Sequence, residues 1–371
     1  MIADADTVLD SIRIQQVLVS AYEIPTDAPE ADGTLRWNST TLVLVEIQAG
    51  GEKGIGYTYA DLSTAYLIEK NLKHLLHEQP ALDIPAIGEM LKKQIRNSGI
   101  TGIAMMAISA IDAALWDLKG KLLKVPVYKL LGHAKESMLL YGSGGFTSYN
   151  KTQLQQQFHH WAEQGIRYFK MKIGGSPQQE RKRMQQAREV LPPDAQLFID
   201  ANGAYHTKEA LAIAAAAADL SVTWFEEPVS SDDIAGLQFL QRHTPAAMNI
   251  ASGEYGYNLF YFQKLLQAGA VDVLQADATR CGGITGFLKG GVLAEAFHIP
   301  FSSHCAPALH LHAAVSLPSF FIAEYFHDHV RIESMLFDGI SPPVNGELRP
   351  DPQRPGLGFD FRYADAKKFQ C

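Results

Sequence analysis

Three consecutive stretches decide the architecture: YFKMKIGG at 168–175, QLFIDANG at 196–203 and VTWFEEP at 222–228. Each opens as a short apolar run of strand length and closes on charged or small residues. Lys172 and Asp200 lie 28 residues apart, and Asp200 and Glu226 lie 26 apart. That interval holds one strand and one returning helix, the βα unit of a parallel sheet. The same rhythm spreads outward to SMLLY (137–141), NIASGE (249–254), VDVLQAD (271–277), IPFSSH (299–304) and FFIAE (320–324). Helical stretches fill the intervals; the clearest is KEALAIAAAAADL, whose alanines favour helix without bulky packing. Eight such runs predict an α/β fold closed into a barrel of the TIM type. An open doubly wound sheet would want a Gly-rich dinucleotide turn after an early strand, and none is found there.

The chain before residue 136 has a different rhythm. Residues 11–22 partly alternate, as a half-buried strand does, and TTLVLVEIQAGGEKGIGYTY reads as two strands about a Gly turn. Between them EIPTDAPEADGTLRWN, residues 23–38, is rich in Pro, Asp and Gly and reads as a loop. Helical patterning follows over about 61–78, 84–96 and 103–122. The expected organisation is an N-terminal α+β domain over 1–132, a barrel over 133–341, and a Pro/Gly-rich segment, 342–371, that packs back on the first domain.

Composition narrows the partners. The 371 residues are 47% hydrophobic and 19% charged, enough apolar mass for a large core. A net charge of −8 argues against nucleic acid as the principal partner. No apolar window reaches membrane length, and MIADADTVLD lacks the pattern of a signal peptide. Three cysteines, Cys281, Cys305 and Cys371, make no disulfide framework and fit a reducing, cytoplasmic setting. The expected partners include further copies of the same chain, not nucleic acid or membrane.

The strand ends carry Lys172, Asp200, Glu226, Glu254, Asp277, His304 and Glu324. A barrel gathers such residues at one mouth. Asp200, Glu226 and Glu254 on successive strands would repel one another without a cation. Their all-oxygen donor set suits Mg²⁺ better than Zn²⁺. Glu227 adjoins Glu226, but Glu226 lies nearer the strand end. Lys170 and Lys172 are two apart, so on a strand they share a face. A lysine crowded by a second cation can have its pKa lowered and serve as a base. Asp277 and His304 lie one βα unit apart. A carboxylate on one imidazole nitrogen fixes the tautomer and raises basicity at the other, giving a general acid/base pair. His310 and His312 read as packing or surface groups on a helix.

These motifs together resemble the enolase superfamily, specifically its mandelate racemase subgroup, over nearly the whole chain. FKMKIGG matches the lysine motif with Lys172 at the base position, and FIDANG matches the first metal-ligand motif, with Asn202 a polar active-site residue. FEEP, ASGE, QADATRCGGITG and SSHCAP supply Glu226, Glu254, Asp277 and His304, and Glu324 matches the group that binds substrate or stabilises the enolate. The resemblance implies a modified (β/α)₇β TIM barrel with an N-terminal α+β capping domain. It also implies Mg²⁺ and abstraction of a proton alpha to a carboxylate. Arg280 stands where the racemase has Lys, and the 23–38 segment is distinctive.

The leading expectation is an acid-sugar dehydratase making a 2-keto-3-deoxy acid. In this reading Arg36, Asp27 and Asp32 of the 23–38 segment meet substrate hydroxyls, Trp37 shuts out water, and Asn202 and Arg280 contact substrate. The alternative is a racemase or epimerase of a 2-hydroxy acid, using the same lysine and histidine. A non-catalytic sugar-acid-binding protein would need a broken residue set, and none is broken.

Overall fold

The computed structural model describes residues 12–371, so MIADADTVLD and Ser11 lie outside the described residues. The N-terminal domain is an antiparallel meander of β1 (Ile14–Ala31), β2 (Arg36–Ala49) and β3 (Glu52–Tyr59). Helices follow at Ser63–Leu67, Lys73–Leu76, Ile84–Ile95 and Gly102–Leu122, with a π turn, Ile68–Leu72, between the first two. The Gly102–Leu122 helix lies directly on β3. A Cβ on Gly56 would sit 2.3 Å from the Ala110 carbonyl oxygen, and one on Gly54 2.2 Å from that of Ala114. Only glycine allows that approach.

The expectation of a loop over 23–38 is corrected. β1 and β2 continue as a long hairpin arm whose turn is confined to residues 32–35. Pro25 and Pro29 are tolerated because β1 is an edge strand and the register shifts between Pro25 and Glu30. Asp32 makes the turn by accepting the N–H groups of Thr34 and Leu35 at 2.6 and 2.7 Å.

The barrel follows as β4 (Met138–Gly144), β5 (Tyr168–Lys172), β6 (Gln196–Asp200), β7 (Val222–Glu226), β8 (Asn249–Ser252), β9 (Val273–Ala276), β10 (Phe301–Ser303) and β11 (Phe320–Phe326). All pair in parallel and in sequence order, and β11 closes on β4, giving a (β/α)₇β barrel. Tyr141, Phe198, Trp224, Ala251, Val273 and Ile322 fill its interior. Phe198 and Trp224 stack with centroids 4.9 Å apart. This plug makes the barrel a packed core and holds the charged strand ends above it.

Beyond the barrel, β12 (Phe337–Asp338) pairs with β14 (Asp360–Phe361), and β13 (Glu347–Leu348) adds to β4. The tail then meets the first domain. Asp117 of the Gly102–Leu122 helix accepts the N–H groups of both Ile55 and Leu357, and the Tyr363 hydroxyl donates to Glu46. No helix among the described residues is long and apolar enough to cross a membrane.

The arm bends over the strand ends of the barrel. Thr147 donates its N–H to Ala31 and its hydroxyl to Asp32, and the Ser148 hydroxyl donates to Pro29, all on carbonyl oxygens. Gly33 at the tip fits against the Ile173 and Ala201 carbonyls, where a Cβ would come within 2.5 and 2.6 Å.

Two glycine substitutions should move stability in opposite directions. Gly56→Ala forces β3 off its helix and should cost about 1–3 kcal/mol in chemical denaturation. Gly88→Ala, in the Ile84–Ile95 helix with nothing within 4 Å of the added Cβ, should stabilise by up to about 1 kcal/mol. Equal midpoints for the two variants would contradict this packing.

Candidate active site

Strand register gathers the charged residues. Lys172 pairs with Asp200 and Asp200 with Glu226 across β5, β6 and β7. Glu254, Asp277 and His304 stand just past the ends of β8, β9 and β10, and Glu324 lies in β11 beside Tyr141 of β4. All seven side chains are buried.

One oxygen each from Asp200, Glu226 and Glu254 lie within 4.8 Å of one another. Glu226 is fixed from below: its Oε2 accepts from Trp224 Nε1 and Gln275 Nε2, each at 3.0 Å, and Lys170 holds its other oxygen. Burial, reinforced by the Asp200 charge, pushes the Glu226 carboxyl well above its usual range. Burial acts on Asp200 in the same sense, but Lys172 and Lys170 outweigh it and hold that group down at about 2. Glu254 Oε2 is buried with no hydrogen-bond partner. An orphaned carboxylate oxygen beside two further acids is the arrangement a hard cation satisfies. Glu227, the second acid of FEEP, takes a positive φ of 38° and meets Ser252 instead.

Lys172 Nζ lies 2.5 Å from Asp200 Oδ2. Lys170 is fully buried above the Tyr141 ring and pairs with Asp200, Glu226 and Glu324. Burial, and less strongly the Lys170 charge, push the Lys172 pKa down. Asp200 and Glu324 nevertheless outweigh both and hold it above the usual lysine value. The lowered pKa expected for this lysine is thus absent.

His304 Nδ1 lies 2.8 Å from Asp277 Oδ2, and Asp277 Oδ1 accepts the Thr279 N–H. Burial raises Asp277, but the His304 hydrogen bond and charge bring it below the usual carboxylate range. The other ring nitrogen, Nε2, is left facing Glu254 Oε2 at 3.4 Å and Cys305 Sγ at 3.3 Å. An anchored Nδ1 and an inward Nε2 are the geometry that proton transfer requires. His310 and His312 are both buried packing groups; His310 Nε2 accepts the Ala278 N–H, and His312 Nδ1 accepts the Tyr128 N–H.

Residues 19–132 match the N-terminal domain of the mandelate racemase/muconate lactonizing enzymes, and residues 153–366 match the enolase C-terminal domain-like family. The chain belongs to the mandelate racemase/muconate lactonizing enzyme family. A mandelate racemase/muconate lactonizing enzyme-like protein from Rubrobacter xylanophilus superposes with a TM-score of 0.94 at 46% identity, covering 97% of this chain and all of that one. Arabinonate dehydratase of Saccharolobus solfataricus is 31% identical over 319 residues, 82% of this chain and 83% of its own. L-talarate/galactarate dehydratase of Salmonella typhimurium is 32% identical over 362 residues, covering 94% of this chain and 88% of the relative. Its structure liganded with Mg and L-lyxarohydroxamate superposes with a TM-score of 0.89, over all of this chain and 95% of that one.

The remaining anticipated residues of this family member divide into two groups. Asn202 stands at the site with a positive φ of 48° and a buried, unpartnered Oδ1. Arg280 bridges two site acids: it donates to Glu254 Oε1 at 3.3 Å, and its Nε lies 3.5 Å from Asp277 Oδ2. Arg280 therefore ties the two carboxylates together, and its Nε makes no hydrogen bond of its own. Trp37 packs edge-on against Phe146 and donates to Glu30, in an apolar wall that includes Cys305 and Phe326. Arg36 lines a groove with Lys151, Lys182 and Gln186 of the outer helices, away from the carboxylate ring. Asp32 uses its Oδ1 in its own turn, and Asp27 meets His327. These contacts follow from the segment being a strand pair and not a free loop.

Several supporting residues escaped the sequence reading. Ser143 donates to Glu324 Oε1 at 2.5 Å, and the Cys305 N–H donates to its Oε2 at 2.8 Å. Gln275 is a polar residue in an apolar strand two positions before Asp277; that pattern is the signal that marks it. Burial of the Cys305 thiol, adjacent to His304, pushes its pKa up and keeps it protonated.

Asp277→Asn removes the anion that faces His304 Nδ1. Turnover should fall about 10²–10⁴-fold with an unchanged circular dichroism spectrum. Turnover within a factor of about two of the parent would exclude a proton-transfer role for the pair.

Proposed function

We propose that this protein is a Mg²⁺-dependent acid-sugar dehydratase that removes the proton alpha to a carboxylate and eliminates the beta hydroxyl to give a 2-keto-3-deoxy acid. One observation carries the reading: two proton-transfer groups flank one carboxylate triad. Lys172 enters from β5 and His304 from the end of β10. The triad of β6, β7 and β8 lies between them on one side and Glu324 of β11 on the other. On the family resemblance, the two groups would take opposite faces of a carbon held above the triad.

Asp200, Glu226 and Glu254 would hold Mg²⁺, which when bound stabilises the negative charge gathering on the substrate carboxylate as the alpha proton leaves. Lys172 takes that proton. Lys170, held in place by Glu324, donates to the substrate carboxylate as it becomes the enolate. His304, protonated and oriented by Asp277, gives a proton to the departing hydroxyl through Nε2. The wall of Trp37, Phe146 and Phe326 excludes water and strengthens these interactions. Two relatives that act on acid sugars, an arabinonate and a talarate/galactarate dehydratase, support the substrate class. The same pair of bases also supports racemisation of a 2-hydroxy acid. A negative net charge, three free cysteines and exposed Phe260 and Val292 support a cytoplasmic, self-associating protein that does not bind nucleic acid.

Two measurements test this. With Mg²⁺ and a panel of mono- and diacid sugars in D₂O, the product should be a 2-keto-3-deoxy acid. Lys172→Ala should abolish alpha exchange, and His304→Asn should block elimination while leaving partial exchange. Stereoinversion with deuterium at C2 and no keto acid would replace the dehydratase reading with the racemase one. Separately, Asp200→Asn should lose Mg²⁺ binding and turnover while staying folded, and chelation of the parent should be reversed by added Mg²⁺. Full turnover in metal-free enzyme would overturn the metal assignment.

A further inference from the structure

Away from the carboxylate ring, the arm brings a second set of donors against the barrel. Asp27 and Glu30 lie on β1, and His327 opens the His327–Leu336 helix three residues beyond Glu324. One carboxylate oxygen from each acid and one His327 ring nitrogen lie within 4.8 Å of one another. His327 Nε2 stands 3.2 and 3.0 Å from Asp27 Oδ1 and Oδ2. Glu30 is 1% exposed; its Oε2 accepts from Trp37 Nε1 at 2.8 Å, and its Oε1 is buried with no partner.

The neighbouring charges are committed elsewhere. Asp328 accepts from Thr40 and Arg331, and Arg331 also donates to the Pro25 carbonyl oxygen. A hydrogen bond between His327 and Asp27 accounts for that pair alone. It leaves the Glu30 oxygen stranded, and buried polar atoms without partners mark places where a partner belongs.

We propose that Asp27, Glu30 and His327 form a second metal site, for a divalent transition-metal cation, that clasps the arm to the barrel. The donor set is one imidazole nitrogen and two carboxylates. It favours Zn²⁺ and its neighbours over Mg²⁺, which takes oxygen donors and resists losing its waters. His327 Nε2 and Asp27 stand 3.0–3.2 Å apart and Glu30 lies within 4.8 Å of both, against roughly 3.0–3.4 Å between neighbouring ligands each about 2.1 Å from one ion. Any proton on Glu30 or His327 leaves to solvent as the cation binds. The bound cation would join residues of β1 to the segment carrying Glu324, holding the arm closed over the mouth. The site shares no residue with the proposed Mg²⁺ triad and does not depend on the proposed reaction.

Zn²⁺ is the probe. The chain in saturating Mg²⁺ is dialysed against graded Zn²⁺, and bound zinc is counted by elemental analysis for the parent, Asp27→Asn and His327→Ala, each also in an Asp200→Asn background that disables the triad. The parent and Asp200→Asn should each hold one more Zn²⁺ per chain than their His327→Ala counterparts. Asp27→Asn should need roughly tenfold more Zn²⁺ for half occupancy. Zn²⁺ should raise the melting temperature of Asp200→Asn and leave the Asp200→Asn/His327→Ala double variant unmoved. Equal zinc counts in the parent and both arm variants would overturn the proposal and leave a hydrogen-bonded Asp27–His327 pair only. Asp27 is nearly half exposed, so Asp27→Asn decides the matter if His327→Ala does not fold.

Discussion

Electrostatic frustration at the mouth of the barrel is the constraint on which the rest of the structure turns. Three carboxylates meet within 4.8 Å and are buried. Two like unit charges about 4 Å apart repel by about 4 kcal/mol at an effective dielectric of about 20. Lys170 and Lys172 relieve part of this through Asp200 and Glu226, and Arg280 through Glu254. What remains is visible as the raised Glu226 carboxyl and the stranded Glu254 oxygen. A divalent cation held by the three acids would answer the remaining conflict, and the same acids hold the Lys170 and Lys172 pKa values up against burial.

Such a conflict persists only on a rigid support. The aromatic plug supplies it from below. Trp224, Tyr141 and Phe198 interlock inside the barrel, and the Trp224 indole N–H and the Gln275 amide reach upward to fix Glu226. Parallel register supplies it laterally, since Lys172, Asp200 and Glu226 are direct cross-strand neighbours. The arm closes it from above through Trp37, Phe146 and the glycine at its tip. The acids stay together because the strands, the plug and the arm leave them nowhere else to go.

The sequence by itself determined the barrel, the triad and the dyad. Each is written locally: a run of apolar residues ending in a charge, repeated at the length of a βα unit, places seven groups on one rim whatever the intervening helices contain. Gln275 was open to the same reading as a polar residue two positions from Asp277. The tertiary structure alone decided what the 23–38 segment does. Its prolines and acids read as a loop because local propensity describes an isolated strand poorly, whereas an edge position and one register shift absorb both prolines. It also decided that Arg280 bridges Glu254 and Asp277, that Arg36 turns to the outer helices, and that Asp27 meets His327 across 300 residues of chain. Strand periodicity fixes which face a residue takes, but partners so far apart in sequence are chosen only when the arm docks on the barrel. Burial and competing charges then settle which of them remain free.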